Sequence, residues 1–380
     1  MMINFLPPQY LINVIRKVQG LPNQHIVESS FLLRAVRVKN TTGEAVQITR
    51  CLFDLRTKRR SRKQMIYSEE ALQERLETLS EFSTRFLNKR DHIGEIFRKG
   101  TVYAILGTEK FWDKDRLSST TTLEHGQDTG FLFEYFRIAA SDPIDELVFI
   151  IVYVQDGEEK SAQISIPVIQ YENKNQYIFP VKGVWRVGGN WDSPDSHRMA
   201  YSQEFAFDLD QLDSNLQVVL NKKRPNEEYP CYGKEVIAVA DGEVVDCFDQ
   251  LPENPSSCSD LTKEQIIEFM QKYGYVRVSG GNQVILKHAN REYSFYGHLI
   301  PNSLEVRKGD KVKRGQVLGK VGNSGNSEGP HLHFQLMDGP DKSTARGLPC
   351  YFINIMNCQG EPVKLIDLDQ SIIHAVNHRS

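Results

Sequence analysis

No run of about 18 apolar residues occurs anywhere in this 380-residue chain, so no segment reads as a helix that spans a bilayer. Charge of one sign is also missing. Lys and Arg number 46 against 49 Asp and Glu, a formal net charge of -3, which gives no global field for nucleic acid or an anionic membrane. The six cysteines (Cys51, Cys231, Cys247, Cys258, Cys350 and Cys358) include no C-x-x-C pair. They read as reduced thiols, some buried as small hydrophobes, with an oxidised Cys350–Cys358 pair left open. The opening residues Met1 to Pro8 lack a basic n-region, a continuous apolar run and a small-residue cleavage site. The expected compartment is therefore the cytoplasm, with export by another route as the alternative.

What remains is an ordinary globular composition, 40% hydrophobic and 25% charged, long enough for two or three domains. Residues 1–24 read as a short lead that forms helix from Tyr10 to Val18 and ends near Gly20-Leu21-Pro22. Residues 25–175 read as a β-sandwich of immunoglobulin-like rhythm with an inserted helix. In it the alternating pairs Val36/Val38 and Val46/Ile48 flank the turn Asn40-Thr41-Thr42-Gly43, which predicts a hairpin with one wet face. The inserted helix is predicted over 68–90, where Leu72, Leu76, Leu79, Phe82 and Phe86 form one apolar stripe behind an N-cap at Ser68. Strands are expected at Thr101–Leu106, Gly130–Phe136 and Leu147–Val154, then after the Asp156-Gly157 turn. The basic run Lys58, Arg59, Arg60, Arg62 and Lys63 has no interleaved aromatic residues for base stacking, so it reads as a solvated loop.

Residues 176–380 read as a second, small all-β domain with an insertion near 249–275 that carries a helix from Thr262 to Lys272. Glu235 to Val245 predicts two strands around Asp241-Gly242. The chemistry concentrates here. Gly329-Pro330-His331-Leu332-His333-Phe334 places two imidazoles at i and i+2, which a strand turns to one face. Neutral imidazole is a common zinc ligand, whereas such a pair alone is more often engaged in ordinary hydrogen bonds. A hydrolytic zinc centre needs three protein ligands and an open position for water. The segment Ser196 to Leu209 offers candidates. His197 sits in a polar turn, and Asp208 lies between Phe207 and Leu209, where a carboxylate is costly unless it is paired or metal-bound. A salt bridge or turn cap is the plainer alternative for Asp208.

Several dispersed elements occur together in one order. They are His197 with Asp208, the Val236–Val244 strand pair, Tyr296-Gly297-His298-Leu299, Val306 to Gln316, Gly319-x-x-Gly322-x-Ser324-Gly325, and Gly329 to Phe334. This set, over roughly residues 180–355, resembles the lysostaphin/LytM-type family of zinc metallopeptidases. The resemblance implies a zinc-dependent endopeptidase that cuts peptidoglycan cross-links or stem peptides. His197, Asp208 and His333 match the zinc ligands, and His298 and His331 match the two non-ligand catalytic histidines. One departure is visible: many members place the first His and the Asp as His-x-x-x-Asp, while these two stand eleven positions apart. His288 reads as structural or as a support behind the ligands, and His25, His92, His125, His374 and His378 fall outside every motif.

Other readings stay open at this stage. A cytoplasmic zinc peptidase with a protein substrate, or a catalytically silent binding module on the same fold, would keep the same motifs. A lipoyl- or biotinyl-carrier domain would account for Val306–Gly319 but leave the histidines unexplained. The N-terminal domain is expected to dock a protein partner, recognise substrate or block the cleft.

Overall fold

Alternating valine, isoleucine and phenylalanine build most of the architecture, and it is mainly β. The computed structural model describes residues 1–18, 25–87, 92–189, 197–213, 215, 224–366 and 372–376. The chain divides into two units. Unit 1 comprises Met1–Arg90 and Thr108–Tyr171, and unit 2 comprises Asp91–Gly107 and Glu172–Ser380.

Unit 1 begins with three strands, β1 (Met2–Leu6), β2 (Leu11–Ile12) and β3 (Val14–Val18). The helical lead expected from Tyr10 to Val18 is therefore incorrect, and Gly20, Leu21 and Pro22 lie outside the described residues. Period two decides the outcome: Ile3 and Phe5 are buried while Met2 and Asn4 are exposed, as pairing with one neighbour requires. That neighbour is β4 (Ile26–Lys39), which also pairs with β3 and with β8 (Asp128–Ala140). The second sheet contains β5 (Val46–Thr57), β6 (Arg60–Tyr67), β7 (Thr122–Leu123), β9 (Glu146–Gln155) and β10 (Glu158–Ile169), with β2 at its edge. One apolar core lies between the sheets, where Phe53 of β5 packs edge-on against Phe131 of β8.

The expected β4–β5 hairpin does not form, because the two strands enter different sheets. Asn40 makes the crossing possible: its side-chain amide donates to the carbonyls of Glu44 and Leu123, which holds the corner open. The basic run forms the tight β5–β6 hairpin, with Lys58 and Arg59 in left-handed conformations at its tip. Helix α1 (Glu69–Phe82) starts at the Ser68 cap and buries Leu72, Leu76, Leu79 and Phe82, then continues as a π turn to Leu87. Residues 88–90 of the expected helix lie outside the described residues.

In unit 2, α2 (His92–Leu106) replaces the strand expected at Thr101–Leu106. Val102 and Leu106 are buried four positions apart, which is helical spacing, although the residue types favour strand. The main sheet runs through β11 (Gly183–Gly189), β12 (Phe207–Asp210), β14 (Gly242–Phe248), β15 (Asn282–Lys287), β16 (Tyr293–Leu299), β17 (Lys311–Val312) and β19 (Leu332–Met337). Its central order is β14-β15-β16-β19-β12-β11. A separate ladder joins β13 (Glu235–Ile237) to β18 (Val317–Lys320). The two strands around Asp241-Gly242 thus exist but do not pair with each other. The insertion holds α3 (Lys263–Tyr273), opened by a Thr262–Gln265 capping box, and the short α4 (Tyr275–Gly280).

Candidate metal site and cleft

Strand register builds the site. Gly189 of β11 stands opposite Asp208 of β12, Asp208 opposite His333 of β19, and His333 opposite Gly297 of β16. Directly opposed residues share a face, so one row across four strands carries a carboxylate and an imidazole side by side between two glycines. Along β12 the partner face is apolar, with Phe207 and Leu209 fully buried. Asp208 and Asp210 therefore point together into the cleft. Arg186 takes Asp210 in a bidentate ion pair, which leaves Asp208 as the carboxylate facing the histidines.

His197 enters from a 3-10 turn (His197–Met199), and Ser196 before it lies outside the described residues. Its Nε2 is 2.7 Å from Asp208 Oδ2, and His333 Nδ1 is 2.9 Å from Asp208 Oδ1. One ligand atom from each of His197, Asp208 and His333 lies within 4.8 Å of the others, so the trio could hold a metal ion. The eleven-residue spacing is thereby accommodated: the turn folds back over β12 instead of continuing it. Gly189 leaves the space they need, since a Cβ there would sit 2.7 Å from Asp208 Oδ2 and 3.2 Å from His197 Nε2.

The outer nitrogens of both imidazoles face amide oxygens. His333 Nε2 is 2.8 Å from Gln335 Oε1, and His197 Nδ1 is 3.1 Å from Gln203 Oε1. The Gln335 amide is oriented in turn, because its Nε2 donates to the Ser202 carbonyl at 2.9 Å. With an ion bound, each ring would donate its outer N–H to the glutamine and present its inner nitrogen to the ion, the arrangement that metal-ligating histidines use. Neither glutamine was singled out from the sequence. Gln335 had a signal, since i+2 from His333 on a strand is the same face, whereas Gln203 had none.

His298 and His331 flank the trio, with ring centroids 4.6 Å apart. Their Nδ1 atoms face main-chain carbonyls, His298 that of Ser324 at 2.7 Å and His331 that of Gly329 at 2.8 Å. Each donation leaves Nε2 turned toward the cleft, where that of His331 lies 3.5 Å from Asp208 Oδ1. His298 needs an unusual backbone to get there. Gly297 already occupies the cleft-facing register position, so the next side chain should point away. A left-handed φ of 63° at His298 turns it back. The glycine-rich loop that supports His331 is tied down by the insertion, where Asn254 donates to the carbonyls of Gly325 and Ser327.

Electrostatics separate the groups. Burial alone would raise the Asp208 carboxyl, but His197 and His331 beside it hold it well below the usual carboxylate range. Burial pushes His333 down to about 4, despite Asp208. Burial, with His331 and His333 close by, holds His298 well below its ordinary value. His331 moves the other way: burial opposes its charge, but Asp208, whose Oδ1 is 3.5 Å from His331 Nε2, outweighs burial and raises it. Lys342, absent from any motif, lines the same cleft of about 560 Å3.

The remaining histidines are elsewhere. His288 is buried between the Asp241 carbonyl and the Ser294 hydroxyl, a structural position as expected. His374 is exposed on a peripheral strand, and His25 and His125 belong to unit 1. His378 and the side chain of His92 lie outside the described residues.

Residues 265–345 match Peptidase family M23, a stretch that includes His298, His331 and His333 but not His197 or Asp208. A relative is the peptidoglycan DD-endopeptidase ShyA of Vibrio cholerae, 46% identical over 57 residues, which is 15% of this chain and 13% of that protein. Lysostaphin of Staphylococcus simulans is 40% identical over 65 residues, 17% of this chain and 13% of that protein. The aligned part thus spans a small fraction of either relative. Among solved structures, the catalytic domain of lysostaphin from Staphylococcus simulans aligns over 43% of this chain and 86% of its own length, with 22% identity and a TM-score of 0.25.

Proposed function

We propose that this chain, which carries a Peptidase family M23 domain over residues 265–345, is a zinc-dependent endopeptidase that cuts peptide bonds in peptidoglycan cross-links or stem peptides. One observation carries the reading. The register row that opposes Asp208 to His333, closed by His197, gathers a two-histidine, one-carboxylate donor set beside two further histidines whose Nδ1 atoms face main-chain carbonyls and whose Nε2 atoms face the cleft. That donor set fits zinc, which takes imidazole nitrogen and carboxylate oxygen and keeps a position open in hydrolytic sites. The space left by Gly189 beside the donor atoms supports the same fit.

His197 Nε2, Asp208 and His333 Nδ1 would hold the ion. When bound, zinc supplies Lewis acidity to a substrate carbonyl and lowers the pKa of a coordinated water. The chain's own residues supply the rest. His298, kept neutral by burial, offers Nε2 as a proton acceptor. His331, supported in its protonated form by Asp208, offers a proton at Nε2 to the departing amine or a hydrogen bond to a developing oxyanion. Gln335 and Gln203 keep the ligand rings in one orientation.

The test is incubation of zinc-loaded protein with purified sacculi, with and without a chelator, and mass spectrometry of what is released. Chelator-sensitive release of cleaved stem peptides is the expected outcome and names the bond. Intact sacculi beside a fully zinc-loaded protein would reject a peptidoglycan substrate. Protein without stoichiometric zinc would leave the silent binding module.

A further inference from the structure

Lys342 is 7% exposed, and no hydrogen bond or ion pair of its ammonium is found among the described residues. Its Nζ lies 4.5 Å from the centroid of the Phe295 ring, and that ring packs edge-on against His333 at 5.8 Å. A cation so enclosed is costly unless an anion compensates it. Phe295 provides part of the compensation through its ring face. Asp208 is the acid on the same cleft wall, but it is already shared among His197, His331 and His333. On the zinc reading the balance shifts further. One carboxylate against a divalent ion leaves the donor set with net positive charge, and Lys342 adds another.

The position of Lys342 points the same way. A second cavity, of about 600 Å3, adjoins the metal cleft, and Gln203, Ser279 and Lys342 line both. Its far walls come from α2 through Tyr103 and from the insertion through Tyr273 and Tyr275. A substrate lying in the cleft can therefore send a side arm past the ammonium into this second space.

We propose that Lys342 is a specificity residue that receives a carboxylate carried by the substrate beside the bond to be cut, with the second cavity accepting the arm that bears it. The inference rests on the peptidase reading for its substrate class, an anionic peptide. It assigns a selection that neither the donor set nor His298 and His331 supplies.

The experiment uses two cross-linked stem-peptide dimers that differ only in having their carboxylates free or amidated. Binding of each to the full-length, metal-free protein is measured by calorimetry, and turnover of each by the zinc-loaded protein is measured in parallel. Wild-type protein should bind the free-carboxylate dimer about 10- to 100-fold more tightly, the scale of a charge-assisted hydrogen bond. In Lys342→Gln that preference should vanish, with affinity for the amidated dimer little changed and the turnover loss appearing in KM. The wild-type comparison needs no variant, and zinc content with a thermal midpoint verifies that Lys342→Gln is folded. Equal wild-type binding of the two dimers would overturn the proposal. So would a preference that survives Lys342→Gln, or an equal fall in kcat on both dimers, which would place Lys342 at the reacting carbonyl. Carboxylate-dependent binding lost in Lys342→Gln, with neither dimer ever cleaved, would uphold the anion site and reject the peptidase reading.

Discussion

Individual side chains divide the proposed site into holders and proton carriers, and their substitution should separate the two. Asp208→Ala and His333→Ala are expected to lose zinc and activity together, because each removes a donor atom from the trio. His298→Ala and His331→Ala should keep zinc and lose about 10²- to 10⁴-fold in turnover, the usual scale of a positioned acid or base. Metal analysis alongside turnover checks this, and full turnover in His331→Ala would sink the mechanism. The acid limb of stability also belongs to this scale. His333 titrates at about 4 in the fold against an ordinary 6.5, so the unfolded chain takes up its proton first. Stability of the metal-free protein should therefore fall as pH drops from 6.5 toward 4, and His333→Gln should flatten that fall. His331, raised rather than lowered, contributes in the opposite sense, so the comparison with His333→Gln is the informative one. Thermal melts across the window decide it, and parallel slopes for both proteins would reject the assignment.

Strands and turns set the geometry that those side chains inherit. The Gly189–Asp208–His333–Gly297 row exists because β11, β12, β19 and β16 pair in one register, and a slip by one residue would turn His333 and Asp208 to the apolar face. Supporting positions should therefore matter without touching an ion. Gln335→Ala is expected to weaken metal affinity about 10- to 100-fold, as loss of such orienting partners does. Gly189→Ala should do so as well, since its methyl would meet Asp208 Oδ2 at 2.7 Å, while changing the thermal midpoint little. Competition with a fluorescent zinc chelator measures both. Unchanged affinity in both variants would mean that the trio is not the metal site.

At the scale of the whole chain, the order of segments and the order of units differ. Residues 91–107 cluster with unit 2, although unit 1 residues precede and follow them in sequence. Within unit 2, α2 is keyed in place: the Tyr201 amide donates to the Ala104 carbonyl at 2.6 Å, and a Cβ at Gly100 would overlap the Tyr275 ring. A fragment that starts at Glu172 should thus be less stable than the same residues within the full chain, because it exposes the Tyr201 and Tyr275 surfaces that α2 covers. Denaturant melts of the fragment with and without a covalently joined 91–107 segment test this. Equal midpoints would mean that α2 contributes nothing to unit 2.

The local pattern was enough for much of this protein. Runs of strand-forming residues identified β8, β9 and β10, the Ser68 cap placed the start of α1, the helix expected in the insertion lies at α3, and the Gly329–Phe334 segment named His331 and His333. These are properties of neighbours in sequence, where propensity and alternation act directly. Pairing was not legible. The Asn40 turn reads as a hairpin until β4 and β5 are seen in separate sheets, and Thr101–Leu106 reads as strand until Val102 and Leu106 are buried at helical spacing. The same limit applied at the site. Residues far apart in the chain, such as Gly189, Gln203 and Lys342, approach His197, Asp208 and His333 only through register and loop closure. Sequence alone determined which residue types are available for the chemistry, because side-chain identity is local. Tertiary structure decided which of them share a cleft and which charge lacks a partner, because non-local pairing and burial set distance and solvation.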